Sequence, residues 1–321
     1  MKLGLSFVVL LAATIAATIV IPAASAAPLP ACGDVVTQNV TLTKSLTNCA
    51  SGLIVGADNV TIDLNGFAIR GLGTAAGIGI DAADHTGITL RNGKITDFAE
   101  GIKLFNVSNS TIEEIVVRRT VTGIRVARTD NGADSNQILD NNVQESVDGI
   151  VLFGAAFSRV AGNTLADLTG TGIFCRDTFA GDVEIEGNRS VRNLIGIRLF
   201  FCGASVSDNV ANDNDSEGIF RTRSNGPTLR NLANDNVGTG ISIDDSTGSI
   251  VNNVTNRNSG HGLAIIDQNA ENGPFYIVTG NTANRNFLLG IMTNLVGVID
   301  GGFNRARNNG DALQCMGITC T

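Results

Sequence analysis

The chain has 321 residues, 43% of them hydrophobic, with 22 basic and 30 acidic side chains and a formal net charge of −8. That length and apolar content can build a sizeable core, and the acidic balance argues against nucleic acid or an anionic membrane surface as a partner. It also makes an acidic polysaccharide an awkward substrate, unless a cation or a local basic patch intervenes.

The first element is a leader. Met1-Lys2 gives a short positive end, residues 5–21 are almost unbroken in apolar character, and Pro22 ends the run before Ala24-Ser25-Ala26. This is the pattern of a secretory signal peptide over residues 1–26. The alternative is a membrane anchor, but small residues fill the second half of the run and no basic cluster follows it. No later segment is apolar enough to span a bilayer. Cleavage removes Lys2 and leaves 21 basic against 30 acidic residues, a net charge of −9 on an exported protein.

All six cysteines follow the cleavage site, an even number for an oxidising compartment. Cys32 and Cys49 bracket the mature N-terminus, Cys175 and Cys202 lie about one repeat apart, and Cys315 and Cys320 bracket the C-terminus. Three local disulfides are expected. The spacing matches no zinc motif, so no structural metal is expected.

Thirty-eight glycines with only five prolines and no tryptophan suggest turns at a fixed interval. A Gly-hydrophobic-x-hydrophobic unit does recur, as in Gly101-Ile102-Lys103-Leu104, Gly123-Ile124-Arg125-Val126 and Gly196-Ile197-Arg198-Leu199. Counted from Gly77, the glycines through Gly290 are spaced 24, 22, 26, 23, 24, 22, 22, 22 and 28 residues apart. Each unit alternates with period two, the mark of a strand with one buried face. A second short strand follows and ends on asparagine at Asn163, Asn188, Asn209, Asn253 and Asn281. A further asparagine precedes the next glycine unit at Asn214, Asn236, Asn258 and Asn286. Asparagine tolerates left-handed corners, and stacked amides can bond one another in a ladder. No stretch has a helical period. The expectation is an all-β, single-domain parallel solenoid of roughly ten coils, a rod on the order of 50 Å long. Its boundaries read as an N-terminal cap and first coil over 27–75, the solenoid over 76–305 and a C-terminal cap over 306–321. The terminal cysteine pairs staple those caps.

In this pattern the chain resembles the right-handed parallel β-helix superfamily that includes pectate lyases and polygalacturonases. More narrowly it is similar to secreted bacterial proteins known only as right-handed parallel β-helix repeat proteins. Cys32-Gly33-Asp34, Thr41-Leu42, the run from Gly52 through Asp58-Asn59-Val60-Thr61 to Asn65-Gly66, Asn309-Gly310-Asp311 and Gln314-Cys315 carry that likeness. It implies a right-handed helix with no established activity. Gly260-His261-Gly262 matches a polygalacturonase motif, but the slot for that family's Asp pair holds Gly238 and Thr239. The tryptophan motif of pectate lyases cannot exist here.

Two sets of site candidates remain. Arg223, Asp245 and Asp267 fall five past the repeat glycine on successive coils, with Asp244 beside them. Stacked carboxylates about 4.8 Å apart would hold a hard cation such as calcium or share a proton. The plainer reading is a surface Arg–Asp ladder. The second set is outward on the middle coils, where Phe153, Phe174, Phe200 and Phe220 alternate with Arg125, Arg176 and Arg198. Aromatics beside arginines suit an extended sugar chain, whereas phenylalanines sealed by a loop or packed on each other would not. The sequence therefore favours a secreted binder of carbohydrate or envelope polymer. A polysaccharide lyase or glycoside hydrolase, or an adhesive rod without a site, is the alternative.

Overall fold

The computed structural model describes residues 29–129, 134–266, 276–294 and 297–321; the leader and Asp267 lie outside them. The described chain is all strand and turn, wound into a β-solenoid of about twelve turns with no helix. Three parallel sheets run the length of the rod. Sheet I begins at Val35–Val36 and Leu53–Val55, sheet II at Val40–Thr41 and Thr61–Asp63, and sheet III at Leu46–Cys49 and Ala68–Gly71. Residues 35–71 thus complete two coils ahead of the Gly79 unit, and Gly52, where a Cβ would press into the Gly79 carbonyl, already stands in the glycine column. A count that begins at Gly77 misses both coils.

Thr89–Phe105 shows how one coil is made. Its inward Leu90, Ile95 and Ile102 are wholly buried, and Asn92 (φ 59°) and Asp97 (φ 65°) turn the two corners between them. Left-handed backbone at such points suits asparagine and aspartate, whose short polar side chains tolerate it. The inward residues stack coil on coil: Ile102, Ile124, Ile150, Ile173, Ile197, Ile219 and Ile241 form one continuous column in sheet I. Each coil thereby buries an apolar face that it could not bury alone.

The repeat glycines form their own column. A Cβ on Gly101, Gly123, Gly149, Gly172, Gly196, Gly218, Gly240 or Gly262 would press into the carbonyl oxygen of the same glycine one coil on. Close approach of coil to coil, not an unusual φ, selects glycine there. In the early coil this position is Gly79, since Ile80 pairs with Ile102. Gly77 is therefore not the repeat glycine, and the first interval is 22 residues rather than 24.

Two buried asparagine ladders line the corners. Asn141, Asn163, Asn188, Asn209, Asn231, Asn253, Asn281 and Asn304 each donate from Nδ2 to the Oδ1 of the next, at 3.0–3.2 Å. Asn304 ends the series on the carboxylate of Asp300, 3.2 Å away. Asn214, Asn236, Asn258, Asn286 and Asn309 form the second ladder, which ends on Oε1 of Gln314 at 3.0 Å. The expected disulfides form as Cys32–Cys49, Cys175–Cys202 and Cys315–Cys320. Several inward slots are polar, among them Ser190, Thr228 and Thr293, and one carries a charge. Arg221 is 1% exposed and donates to the carbonyls of Pro227 and Ala204 and to Thr228 Oγ1. Burial pushes its guanidinium down to about 10.

Candidate functional site

The outward residues of sheet I fall into two columns. Arg125, Val151, Phe174, Arg198 and Phe220 stack in the first, and Phe153, Arg176, Phe200, Thr222 and Asp244 in the second. Period two sends these side chains out because their neighbours Ile124, Leu152, Ile173, Leu199 and Ile219 fill the core. Register therefore brings all seven of the expected arginines and phenylalanines onto one face.

These phenylalanines are not sealed, and they pack mainly against guanidinium groups rather than on each other. Arg176 lies 5.0 Å from the centroid of Phe153, and Arg198 sits between Phe174 at 5.2 Å and Phe220 at 6.0 Å. Such cation–π stacks hold a guanidinium flat against the sheet. Phe153, Phe174, Phe200 and Phe220 are partly exposed. Arg125 pairs with Glu100 at 3.2 Å and Arg176 with Asp177 at 2.9 Å. Arg198 has no ion pair among the described residues, and its buried Nε has no hydrogen-bond partner there.

The second candidate set adjoins the first. Phe200, Thr222 and Asp244 are successive members of one column, and Phe201, Arg223 and Asp245 turn the corner beside them with φ of 51°, 48° and 43°. Arg223 lies over the Phe201 ring at 5.3 Å and 3.8 Å from the Asp245 carboxylate. Phe201 meets Phe200 edge-on at 4.6 Å. Asp267 would continue this row but lies outside the described residues, so the stacked carboxylate pair has only Asp245 in view. Among the described residues no three His, Cys, Asp or Glu side chains converge as a metal set.

A depression of about 220 Å³ opens at this corner, lined by Thr178, Asp182, Phe201, Cys202, Gly203, Arg223 and Asn225. Its wall is an excursion of the chain. Thr178 pairs with Cys202 and Val183 with Ala204, so four residues on one strand oppose a single one on the next. The Cys175–Cys202 bond ties the base of that excursion to the following coil. Asp182, Thr178, Phe201 and Asn225 escaped the sequence reading. The signal available for them was the 27-residue interval between the two cysteines, longer than the usual coil.

His261 has a plain structural task. Its Nδ1 accepts the backbone N–H of Leu289 at 3.2 Å, and burial lowers its pKa, which keeps it neutral. Glu100 is engaged by Arg125, and Asp148 accepts the Thr171 N–H at 2.8 Å. The carboxylates before the repeat glycines are thus dispersed along the rod.

The model of the family described as "Right handed beta helix region" matches residues 31–190 and 76–233, together more than half of the chain. The chain belongs to the right-handed β-helix family. Among solved β-helix structures, a mutant of the periplasmic alginate epimerase AlgG superposes with a TM-score of 0.64 at 13% identity, over 86% of this chain and 77% of that one. The A-module of the Azotobacter vinelandii mannuronan C-5 epimerase AlgE4 gives 0.58 at 14% identity, over 89% of each chain. At these identities the likeness establishes the β-helix fold. No curated protein matches the sequence. Three disulfides are consistent with an extracellular or periplasmic protein, and no helix among the described residues is long and apolar enough to cross a membrane.

Proposed function

We propose that the protein is exported by its N-terminal leader and binds a polysaccharide along sheet I, between the Arg125 rung and the corner at Arg223. The observation that carries this is the alternation of half-exposed phenyl rings with flattened guanidiniums along both columns. Five rungs at ~4.8 Å span on the order of 20 Å, room for several sugar rings. Phenyl faces take the C–H faces of sugars, while the guanidinium forks donate to hydroxyl or carboxylate oxygens. Because stacking already fixes the arginines, little side-chain entropy remains to be lost on binding. Arg198, at the centre of the face, has no ion pair among the described residues to compete with a ligand. The names of two proteins sharing this fold, for alginate and mannuronan, support a polymeric sugar as the ligand class.

A second reading rests on the corner depression, where Asp182 and Arg223 line one cavity and Asp245 pairs with that arginine. There a bound polymer could be cleaved by lyase or hydrolase chemistry, with calcium as a candidate aid.

The test is affinity electrophoresis and end-group analysis of the mature protein on neutral and uronic-acid polysaccharides, with calcium and with chelator. Retardation that weakens in the Phe174→Ala/Phe220→Ala double variant and in Arg198→Gln supports binding on this face. New reducing or unsaturated ends, lost in Asp182→Asn or Asp245→Ala, support the enzyme. Silence on every polymer overturns both and leaves an adhesive or structural rod.

A further inference from the structure

The first coils of sheet III carry positive charge against the trend of a chain whose net charge is −8. Register places Ala68, Lys94, Val116, Asn142 and Thr164 in one outward column and Arg70, Thr96, Arg118, Gln144 and Ala166 in its neighbour. Asp97, Arg119 and Glu145 turn the adjoining corner, all with left-handed φ. A depression of about 290 Å³ lies among Arg70, Lys94, Thr96, Val116, Arg118 and Arg119.

Its four cations meet only two carboxylates. Asp97 grips Arg119 bidentately at 2.6 and 2.9 Å and lies 3.7 Å from Arg70. Glu145 lies 3.5 Å from Arg119 and 3.9 Å from Arg118. Lys94 has no ion pair among the described residues, and the buried Nε of Arg118 has no hydrogen-bond partner there. Four positive charges less two negative ones leave a local +2. Farther along the rod two charged corners pair one to one, Asp167–Arg192 and Asp235–Arg257.

We propose that this depression binds a tetrahedral oxyanion, a sulfate ester or a phosphate, among Lys94, Arg70 and Arg118. Arg70 and Arg118 rise from the coils on either side of Thr96, and Lys94 stands two residues along the strand from it. Cationic donors that arrive from three successive coils can each take a different oxygen of a tetrahedral acceptor, and guanidinium forks match its oxygens. The hydroxyl of Thr96 is already committed to Asp97 at 2.8 Å and Nη2 of Arg118 to Gln144 Oε1 at 2.7 Å, which leaves Lys94 and the remaining donors of Arg70 and Arg118 to the ligand. The volume exceeds that of one oxyanion and has room for the sugar that carries it. This site is separate from the sheet I face and stands without it.

The experiment titrates the mature protein at low salt with inorganic sulfate, inorganic phosphate, a dextran sulfate oligosaccharide and acetate, read by amide NMR shifts. Saturable shifts at residues 94–96 and 116–119 with sulfate or phosphate, and none with acetate, are expected. Lys94→Gln, which breaks no ion pair, should weaken binding roughly ten-fold, and Arg118→Gln at least as much, while Arg230→Gln leaves it unchanged. A sulfated oligosaccharide that binds roughly ten-fold tighter than inorganic sulfate identifies a polymer-borne group; equal affinity identifies the free ion. Absent saturation, equal binding of acetate, or a silent Lys94→Gln overturns the proposal, whatever neutral glycans do on sheet I.

Discussion

Replacing Asn209 by alanine tests whether the amide ladders hold the rod together. Asn209 is fully buried, and its Nδ2 donates to the carbonyls of Ile185 and Ser207 at 2.9 Å and to Asn231 Oδ1 at 3.1 Å. Its Oδ1 accepts the backbone N–H of Asn188 at 2.9 Å and the Asn188 amide at 3.0 Å. Some of these partners keep a second bond after truncation, since Asn188 Nδ2 still reaches the Val160 carbonyl and Asn231 Oδ1 still accepts the Asn209 N–H. The Asn188 N–H does not, and an orphaned buried amide costs about 1–3 kcal/mol. The Ser207 carbonyl keeps the Gly187 N–H at 3.0 Å, while the Ile185 carbonyl's lost donor adds about 1 kcal/mol, so the loss should total about 2–4 kcal/mol. The half-buried corner residue Asn212, whose Oδ1 accepts only the Asn234 N–H, should lose about 1 kcal/mol or less on the same change. Urea titration followed by circular dichroism gives the midpoints. Because a solenoid can open in sections, hydrogen exchange across residues 185–235 should lose protection first. Equal destabilisation by Asn209→Ala and Asn212→Ala would refute the ladder argument.

Three further outcomes follow from the same contacts. The arginine beside Asp97 holds its carboxyl below the usual 3.8, so the pair's contribution is full above that pH and is lost as pH falls through and below it. The stability gap between wild type and Asp97→Asn, about 0.5–1 kcal/mol at neutral pH, should therefore close below pH ~4 in thermal melts. Arg221 behaves oppositely: burial pulls its folded pKa down to about 10, well under the free guanidinium's, so charge burial destabilises the fold until pH rises past about 10. Relative to Arg221→Met, wild type should gain stability between pH 9 and 11 in urea titrations. Removing the Cys175–Cys202 bond, which closes a 27-residue separation, should cost about 3.5 kcal/mol in the urea midpoint, and reductant should then have no further effect on that coil.

What the sequence showed clearly was whatever repeats in one coil after another. The Gly-Ile units and the asparagines recur because each is pressed against its own copy, so periodicity alone reveals them. The misassigned Gly77 shows the limit: two glycines stood in one unit, and only pairing with Gly101 selects Gly79. The coils over 35–71 escaped the count because it began at Gly77, although Gly52-Leu53-Ile54-Val55 already carries the unit. The platform on sheet I was legible because its arginines and phenylalanines occupy fixed offsets from a repeat glycine. The corner depression was not, since it depends on an excursion that interrupts the offsets. Nor was the basic hollow, where Arg70, Lys94 and Arg118 come from three coils and two columns. Arg221 defeats period two altogether, because alternation marks the slot as inward without saying that three oxygen acceptors wait inside.

The amide ladders also give the rod a direction. In each row one Nδ2–H points to the next Oδ1 toward the C-terminal end, while the other reaches back to a carbonyl of an earlier coil, so the ladder bonds themselves all run in one direction. The last donors then need an acceptor, and each has one: Asp300 receives the last donor of one row, and Gln314 the last donor of the other, passing its own Nε2–H to the Asp311 carbonyl at 2.6 Å. A further coil would have to displace both terminators. Those two side chains thus sit where the asparagines of one more coil would otherwise accept.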